Sequence, residues 1–138
     1  MIRFRKLNKY KYQLMNSYEH AVNIPGDIET DFVKLAGSKL FIREHYAWDG
    51  ASGPAIDTNN IMRGSLVHDA IYQLIRLGKV DYIYRIEADK LLRDISRQDG
   101  MNRFRAWYVY WAVRLCARSS AKPKSEIQII YTAPQKSS

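Results

Sequence analysis

The chain has a single cysteine, Cys116, among 138 residues, which excludes an internal disulfide framework and a four-cysteine zinc site. Long apolar runs are also lacking: the longest covers the eight residues 106–113 and stops at Arg114, whereas a membrane-spanning helix needs about 20. The N-terminus is basic and polar, without an apolar stretch and a small-residue cleavage site, so we expect no signal peptide. This cysteine usage fits a reducing compartment.

Acidic residues are scarce at both ends of the chain. Residues 1–12 carry five Lys or Arg and no acid, and residues 101–138 carry seven and one acid, Glu126. Because the net charge is +8, the two ends at +5 and +6 leave −3 for residues 13–100. Basic ends suit a nucleic acid or an anionic membrane surface, and they also serve solubility alone.

Patterning predicts one α+β domain over residues 1–118, followed by a linker and C-terminal tail at 119–138. Residues 10–46 alternate like strands and indicate a small antiparallel sheet of two to four strands, with a hairpin around residues 36–39. Residues 46–60 contain two glycines and a proline and predict a long loop. From Ile61 onward, apolar residues recur at spacings of three and four, and this pattern predicts a helix.

Three helices are predicted. The first starts at Asn59 or Asn60 and ends at Gly78, the second covers about 84–98, and the third about 102–117. The third is rich in aromatic residues, and we expect it to be a core helix packing on the sheet. Two alternatives stay open: an interfacial helix with aromatic rings at lipid headgroups, or a stacking platform for single-stranded nucleic acid. Arginines bracket these aromatic residues: Arg103, Arg105, Arg114 and Arg118.

The first predicted helix contains the sequence His68-Asp69-x-x-Tyr72. His68 and Tyr72 share one helix face, and Asp69 points about 100° away. His68 could act as a general base on a water molecule, which requires an orienting acceptor on its other nitrogen. Asp89 could supply that acceptor if the first two helices pack antiparallel, as their short connection favours.

A cation beside Asp69 would need further oxygen ligands. Calcium takes six to eight oxygens, many of them backbone carbonyls of a loop that bends back on itself. The preceding glycine loop could supply such carbonyls, because glycine permits the conformations that turn several in one direction. The candidate calcium ligands are Asp69 with the loop residues Trp48, Asp49, Gly50 and Ser52.

This order of motifs resembles the secreted phospholipase A₂ superfamily over roughly residues 46–98. Trp48-x-Gly50-x-Ser52-Gly53 is similar to that family's calcium loop. The resemblance implies a phospholipase A₂-like helical pair with His68 as the general base and Asp69 as the calcium carboxylate. Asp89 would be the aspartate behind the histidine, and Tyr72 the supporting tyrosine. The implied activity is calcium-dependent hydrolysis of a phospholipid ester.

The chain as a whole resembles a family of small uncharacterised proteins of tailed bacteriophages and prophages. The segments that carry this resemblance are YAWDGASGP (46–54), MRGSLVHDAIYQL (62–74), EADKLLRDI (87–95) and MNRFRAWYVYWAVRL (101–115). It implies a phage-encoded protein in the cytoplasm of the infected bacterium, at the inner membrane face or in the virion. Lysis or envelope passage is the setting that we expect, with an anionic phospholipid surface or a host protein as the partner.

Other interpretations of the same residues stay open. His68 could be a buried histidine bonded to a carboxylate without catalysis, and Tyr72 could be a core residue. Asp69 and Asp89 could form ion pairs with Arg63 or Arg93. The protein would then be a non-catalytic phage protein, a virion component or a module that binds a host factor; nucleic-acid binding is a third alternative.

Overall fold

The computed structural model describes residues 1–7, 11–50 and 58–116. It has two antiparallel sheets followed by three helices, so the predicted α+β fold class is confirmed. The predicted linker and C-terminal tail at 119–138 lie outside the described residues. The strands are β1 (Phe4–Lys6), β2 (Tyr12–Leu14), β3 (Tyr18–Ala21), β4 (Ile28–Glu29), β5 (Val33–Ala36), β6 (Lys39–Ile42) and β7 (Ala47–Trp48). The helices are α1 (Asn59–Arg76), α2 (Arg85–Gln98) and α3 (Arg103–Cys116), and a short 3₁₀ turn (Tyr82–Tyr84) precedes α2.

The strands divide between two sheets, whereas the sequence predicted one. One sheet has the order β1-β2-β7, and the other has the order β3-β6-β5-β4. The chain turns between the sheets after Leu14 and again before Tyr46, where His45 adopts a positive φ of 79°. The predicted hairpin at 36–39 is confirmed, and its two central residues, Gly37 and Ser38, are both left-handed, as a tight hairpin turn requires.

Two short strands lie where the sequence predicted none. β1 forms in the basic N-terminal segment, and β7 forms inside the predicted loop by pairing with β2. A cluster of aromatic rings explains this pairing: Phe4 and Tyr12 each pack against the buried Trp48, with ring centroids about 6 Å apart. The loop predicted at 46–60 is therefore shorter than expected at both ends. Its start contributes β7, and its last two residues, Asn59 and Asn60, are the first two residues of α1.

The helix α1 lies at the centre of the fold, and most of its residues are buried. The sheets contribute inward-facing residues such as Leu35 and Leu40 to the same core. The helix α2 packs on α1, and α3 packs on α2. Among the described residues, no helix is long and apolar enough to span a bilayer.

The packing of α1 and α2 is antiparallel, as predicted. Gly64 on α1 faces Leu92 and Ser96 on α2, whereas Tyr72, two turns later on α1, reaches back to Asp89. The approach at Gly64 is close: a Cβ atom there would lie 3.0 Å from both the Leu92 carbonyl oxygen and the Ser96 hydroxyl. This close contact sets the distance between the two helices one turn away from His68.

We expect Gly64→Ala to destabilise the protein. The added methyl group would push α1 and α2 apart, at a cost of about 1–3 kcal/mol for overpacking, against a gain of about 1 kcal/mol in helix propensity. The measurement is urea unfolding of the wild type, Gly64→Ala and Gly64→Val. We expect the free energy of unfolding to decrease in that order, because the added side chain becomes larger. An alanine variant more stable than the wild type would contradict the close packing.

Candidate functional site

Asp89 lies at the centre of a polar cluster between the three helices, and its side chain is fully buried. Its Oδ1 accepts a hydrogen bond from His68 Nε2 at 2.8 Å and a second one from the Tyr72 hydroxyl at 2.6 Å. Both donors come from α1, where they lie one turn apart with their rings in contact, 4.1 Å between centroids. The structure therefore brings together the three residues that the sequence proposed as a catalytic group.

Two arginines contact the other oxygen of Asp89. Arg114 Nη1 of α3 lies 2.9 Å from Oδ2, and Arg85 Nη1, one turn before Asp89 on α2, lies 3.6 Å from it. The sequence interpretation missed both partners. The spacing of four residues between Arg85 and Asp89 was a signal that could have found the first. The sequence indicates Arg114 only as one of the arginines that bracket the aromatic residues of α3, and the packing of α3 on α2 brings it to Asp89.

The ion pairs considered from the sequence form with different partners. Arg63 pairs with Asp99 at 2.8 Å and also contacts the Tyr18 hydroxyl, so it joins α1 to β3 and to the end of α2. Arg93 pairs with its neighbour Asp94. The alternative in which Asp69 or Asp89 pairs with Arg63 or Arg93 does not match these contacts, because each arginine has a closer acid.

The charges around Asp89 keep it ionised. Burial alone would raise the pKa of Asp89, but hydrogen bonds from His68, Tyr72 and Arg114 outweigh it and hold the pKa below its ordinary value. A carboxylate accepts hydrogen bonds and has no proton to donate, so Nε2 of His68 carries the proton in this contact. When the imidazole is neutral, the other ring nitrogen, Nδ1, is therefore its basic position.

His68 lies between two carboxylates. Its Nδ1 is 3.5 Å from Oδ1 of Asp69, a longer contact than the bond to Asp89. Burial lowers the pKa of His68, but the hydrogen bonds and negative charges of Asp69 and Asp89 outweigh it, and the net pKa is raised. A raised pKa makes the imidazole a stronger proton acceptor.

Asp69 is the most exposed member of this group, with 26% of its side chain accessible, against 6% for His68. Burial is the largest effect on it and raises the pKa of Asp69, and the charge of Asp49 adds to this rise. The backbone N–H of Asp49 donates a hydrogen bond to Asp69 and acts in the opposite direction. Residue 49, next to the start of the glycine loop, is therefore in contact with Asp69. This contact is made by an N–H group, whereas a calcium ion would need carbonyl oxygens.

The proposed loop ligands occupy different positions. Trp48 is buried, and its indole N–H donates to Ser65 Oγ at 3.0 Å, which fixes the start of the loop on α1 one turn before Asp69. Gly50 has a φ of 79°, a conformation that favours glycine. The Asp49 carboxylate is exposed and forms an ion pair with Lys11 at 3.5 Å. Ser52 lies outside the described residues.

These contacts define an α+β protein in which two antiparallel helices enclose a histidine–carboxylate pair. Residues 8–113 match the family described as "Protein of unknown function (DUF1353)", and the chain belongs to that family. This result confirms the prediction of an uncharacterised family. Comparisons with curated proteins and with solved structures gave no match.

Proposed function

We propose that the protein is a calcium-dependent lipid-ester hydrolase that resembles phospholipase A₂ in its chemistry. The observation that carries the proposal is the pair of hydrogen bonds to one oxygen of Asp89. They orient His68 with Nε2–H toward Asp89 and leave Nδ1 directed toward Asp69. A base, its orienting carboxylate and an adjacent partly exposed carboxylate are the groups that this reaction needs.

The reaction is an ester hydrolysis in which water supplies the nucleophile. His68 Nδ1 takes a proton from a water molecule while the water oxygen forms a bond to the ester carbonyl carbon. The imidazolium then returns that proton to the leaving alkoxide as the carbon–oxygen bond breaks, which gives a carboxylic acid and an alcohol. Asp89 stabilises the imidazolium that exists between these two proton transfers. Tyr72 and Arg114 keep Asp89 ionised and in place.

The chemistry of the donor set around Asp69 fits a calcium ion in part. Asp69 is a partly buried carboxylate, and within the described residues it forms an ion pair with His68. The same part of the chain holds no cluster of three or more His, Cys, Asp or Glu side chains suited to a metal. Calcium would therefore depend on Asp69 and on carbonyls of the loop that begins at Trp48. When bound, calcium supplies a Lewis acid that polarises the ester carbonyl.

Calcium binding is the first test, because it depends on Asp69 and not on an unidentified substrate. We expect calorimetric titration to give a binding isotherm with the wild type and to lose it with Asp69→Asn, which keeps the size of the side chain and removes its charge. Asp27→Asn is the matched control, since it removes one exposed carboxylate from a turn in the sheet region. It should bind calcium like the wild type.

Two results would overturn the calcium site. One is a wild-type protein that takes up no calcium, and the other is an Asp69→Asn variant that binds it as well as Asp27→Asn does. If calcium binds as expected, the next measurement is release of fatty acid from phospholipid vesicles with calcium and with a chelator. Hydrolysis that continues unchanged in the chelator would reject the role of the ion.

A non-catalytic function is the second candidate, and the burial of the cluster favours it. His68 exposes only 6% of its side chain, and Asp89 is shared by two arginines, as in a structural ion network. The protein would then be a virion component or a module that binds a host protein. We place either function in a phage-encoded protein acting in the bacterial cytoplasm, at the inner membrane face or in the virion.

A further inference from the structure

Among the elements in the described part of the chain, none covers one face of the helix α3. Its other face is buried against the rest of the protein through residues such as Ala106, Val109 and Val113. The prediction that α3 is a core helix packing on the sheet was therefore wrong in two respects. The helix packs on α2, and large apolar side chains of α3 are exposed to solvent. Five of them are between 45% and 77% exposed: Phe104, Trp107, Tyr108, Trp111 and Leu115.

The exposed residues form a continuous stripe, which we call the α3 stripe. Phe104, Trp107, Trp111 and Leu115 follow one another at spacings of three, four and four, so they share one side of the helix. Phe104 stacks on Trp107 with ring centroids 6.1 Å apart. The stripe runs along all of the 14-residue helix, about 21 Å. An apolar patch of this size on a protein surface is typical of an interaction site.

The charge around the α3 stripe is positive. The helix contains three arginines and no acidic residue. Arg103 is exposed at the start of the stripe. Arg105 donates to Thr58 Oγ1 at 3.3 Å, and Arg114 pairs with Asp89, so the structure holds both of these in place. The apolar stripe therefore lies in a positive field.

We propose that the α3 stripe docks the protein on an anionic phospholipid surface, with the axis of α3 parallel to the membrane. Aromatic and leucine side chains along one side of a cationic helix are the composition of a helix that lies in the membrane interface. The aromatic rings would lie at the headgroup level, and the exposed Arg103 would face the phosphates. The proposal rests on the proposed function in one respect, namely that the docked surface holds the ester substrate.

Charge complementarity favours this occupant over a second copy of the chain. In a symmetric dimer the same patch meets itself, so α3 would face α3. The exposed Arg103 would then meet a helix without an acidic residue to pair with, and like charges would approach one another. An anionic lipid surface covers the apolar residues and compensates the charge at the same time.

The test measures binding to vesicles of ether-linked lipids, which contain no ester to hydrolyse, in the presence of a calcium chelator. We expect the wild type to sediment with phosphatidylglycerol vesicles and bind phosphatidylcholine vesicles much more weakly. The double variant Trp107→Ser/Trp111→Ser should lose at least about tenfold in partitioning. Phe32→Ser is the matched control, because it removes a 43% exposed aromatic side chain from the sheet region, and it should bind like the wild type.

Tryptophan emission gives a second readout on the same samples. Trp48 is buried, so a blue shift on vesicle binding must come from Trp107 and Trp111. Four outcomes would overturn docking: no binding to phosphatidylglycerol vesicles; a double variant that binds like the wild type; a dimer that the double variant disrupts without any vesicle binding; or a single-stranded oligonucleotide that binds where vesicles do not.

A soluble short-chain ester separates this proposal from the proposed function. If the wild type hydrolyses that ester and ignores the vesicles, docking by the α3 stripe is wrong and the hydrolase proposal stands. If it binds the vesicles and hydrolyses neither the soluble ester nor a vesicle ester, the hydrolase proposal is wrong and docking stands.

Discussion

Replacing His68 by glutamine is expected to lower the rate of lipid-ester hydrolysis by about 10²- to 10⁴-fold, the range that a general base contributes. The glutamine amide can still donate a hydrogen bond to Asp89 in place of Nε2, but it offers no basic nitrogen on the side of Asp69. The variant therefore removes the chemistry and keeps the contact that holds α1 to α2. The measurement is the turnover of a vesicle ester and of a soluble ester with calcium present.

Tyr72→Phe is the control for this experiment. It removes the 2.6 Å hydrogen bond to Asp89 and leaves the imidazole in place, so its loss of rate should be much smaller. Urea unfolding of both variants checks that each remains folded. If His68→Gln hydrolyses esters within twofold of the wild type, His68 is not the base, and the structural interpretation of the cluster is favoured.

Asp89→Ala is expected to cost about 3–5 kcal/mol in the free energy of unfolding. The carboxylate is fully buried, and its removal leaves the charges of Arg85 and Arg114 and the donors of His68 and Tyr72 without their common partner. Alanine has the better helix propensity, so the loss is not a local effect on α2. The measurement is the urea midpoint and slope near neutral pH.

Asp94→Ala is the matched control on the same helix. Asp94 pairs with Arg93 at 2.8 Å, but 55% of its side chain is exposed, and an exposed pair contributes about 0–1 kcal/mol. Equal destabilisation by the two substitutions would show that Asp89 does not hold the three helices together. This prediction is independent of catalysis, so it stands or falls separately from the loss of activity in His68→Gln.

Much of the site could be predicted because its parts are close in sequence. One turn of helix separates His68 from Tyr72, and the short connection to α2 favours antiparallel packing, which brings Asp89 opposite His68. The predicted roles of these residues remain predictions, since the structure gives their positions and not their reaction. The hydrogen bond from the Asp49 N–H to Asp69 could not be predicted, because loop spacing alone does not fix where a carbonyl or an N–H points.

The partners from α3 could not be predicted in the same way. The sequence of α3 is apolar around most of its circumference, so its pattern does not indicate which side is covered. The position of α3 on α2 decides this: it brings Arg114 to Asp89 and leaves Trp107 and Trp111 exposed. The division of the strands into two sheets likewise follows from long-range pairing, in which β7 joins β2 instead of continuing as a loop.

The sequence by itself determined the α+β class and the three helices, and it proposed His68, Tyr72 and Asp89 as one group. The contact of Asp89 with His68 came from the structure. Helical periodicity, glycine and turn residues act over a few neighbours, so they can be recognised without a fold. Only the tertiary structure decided that Arg85 and Arg114 contact Asp89 and that α3 has an exposed apolar face. Both depend on which helix faces lie against each other, and that choice is made by the packing of the whole core.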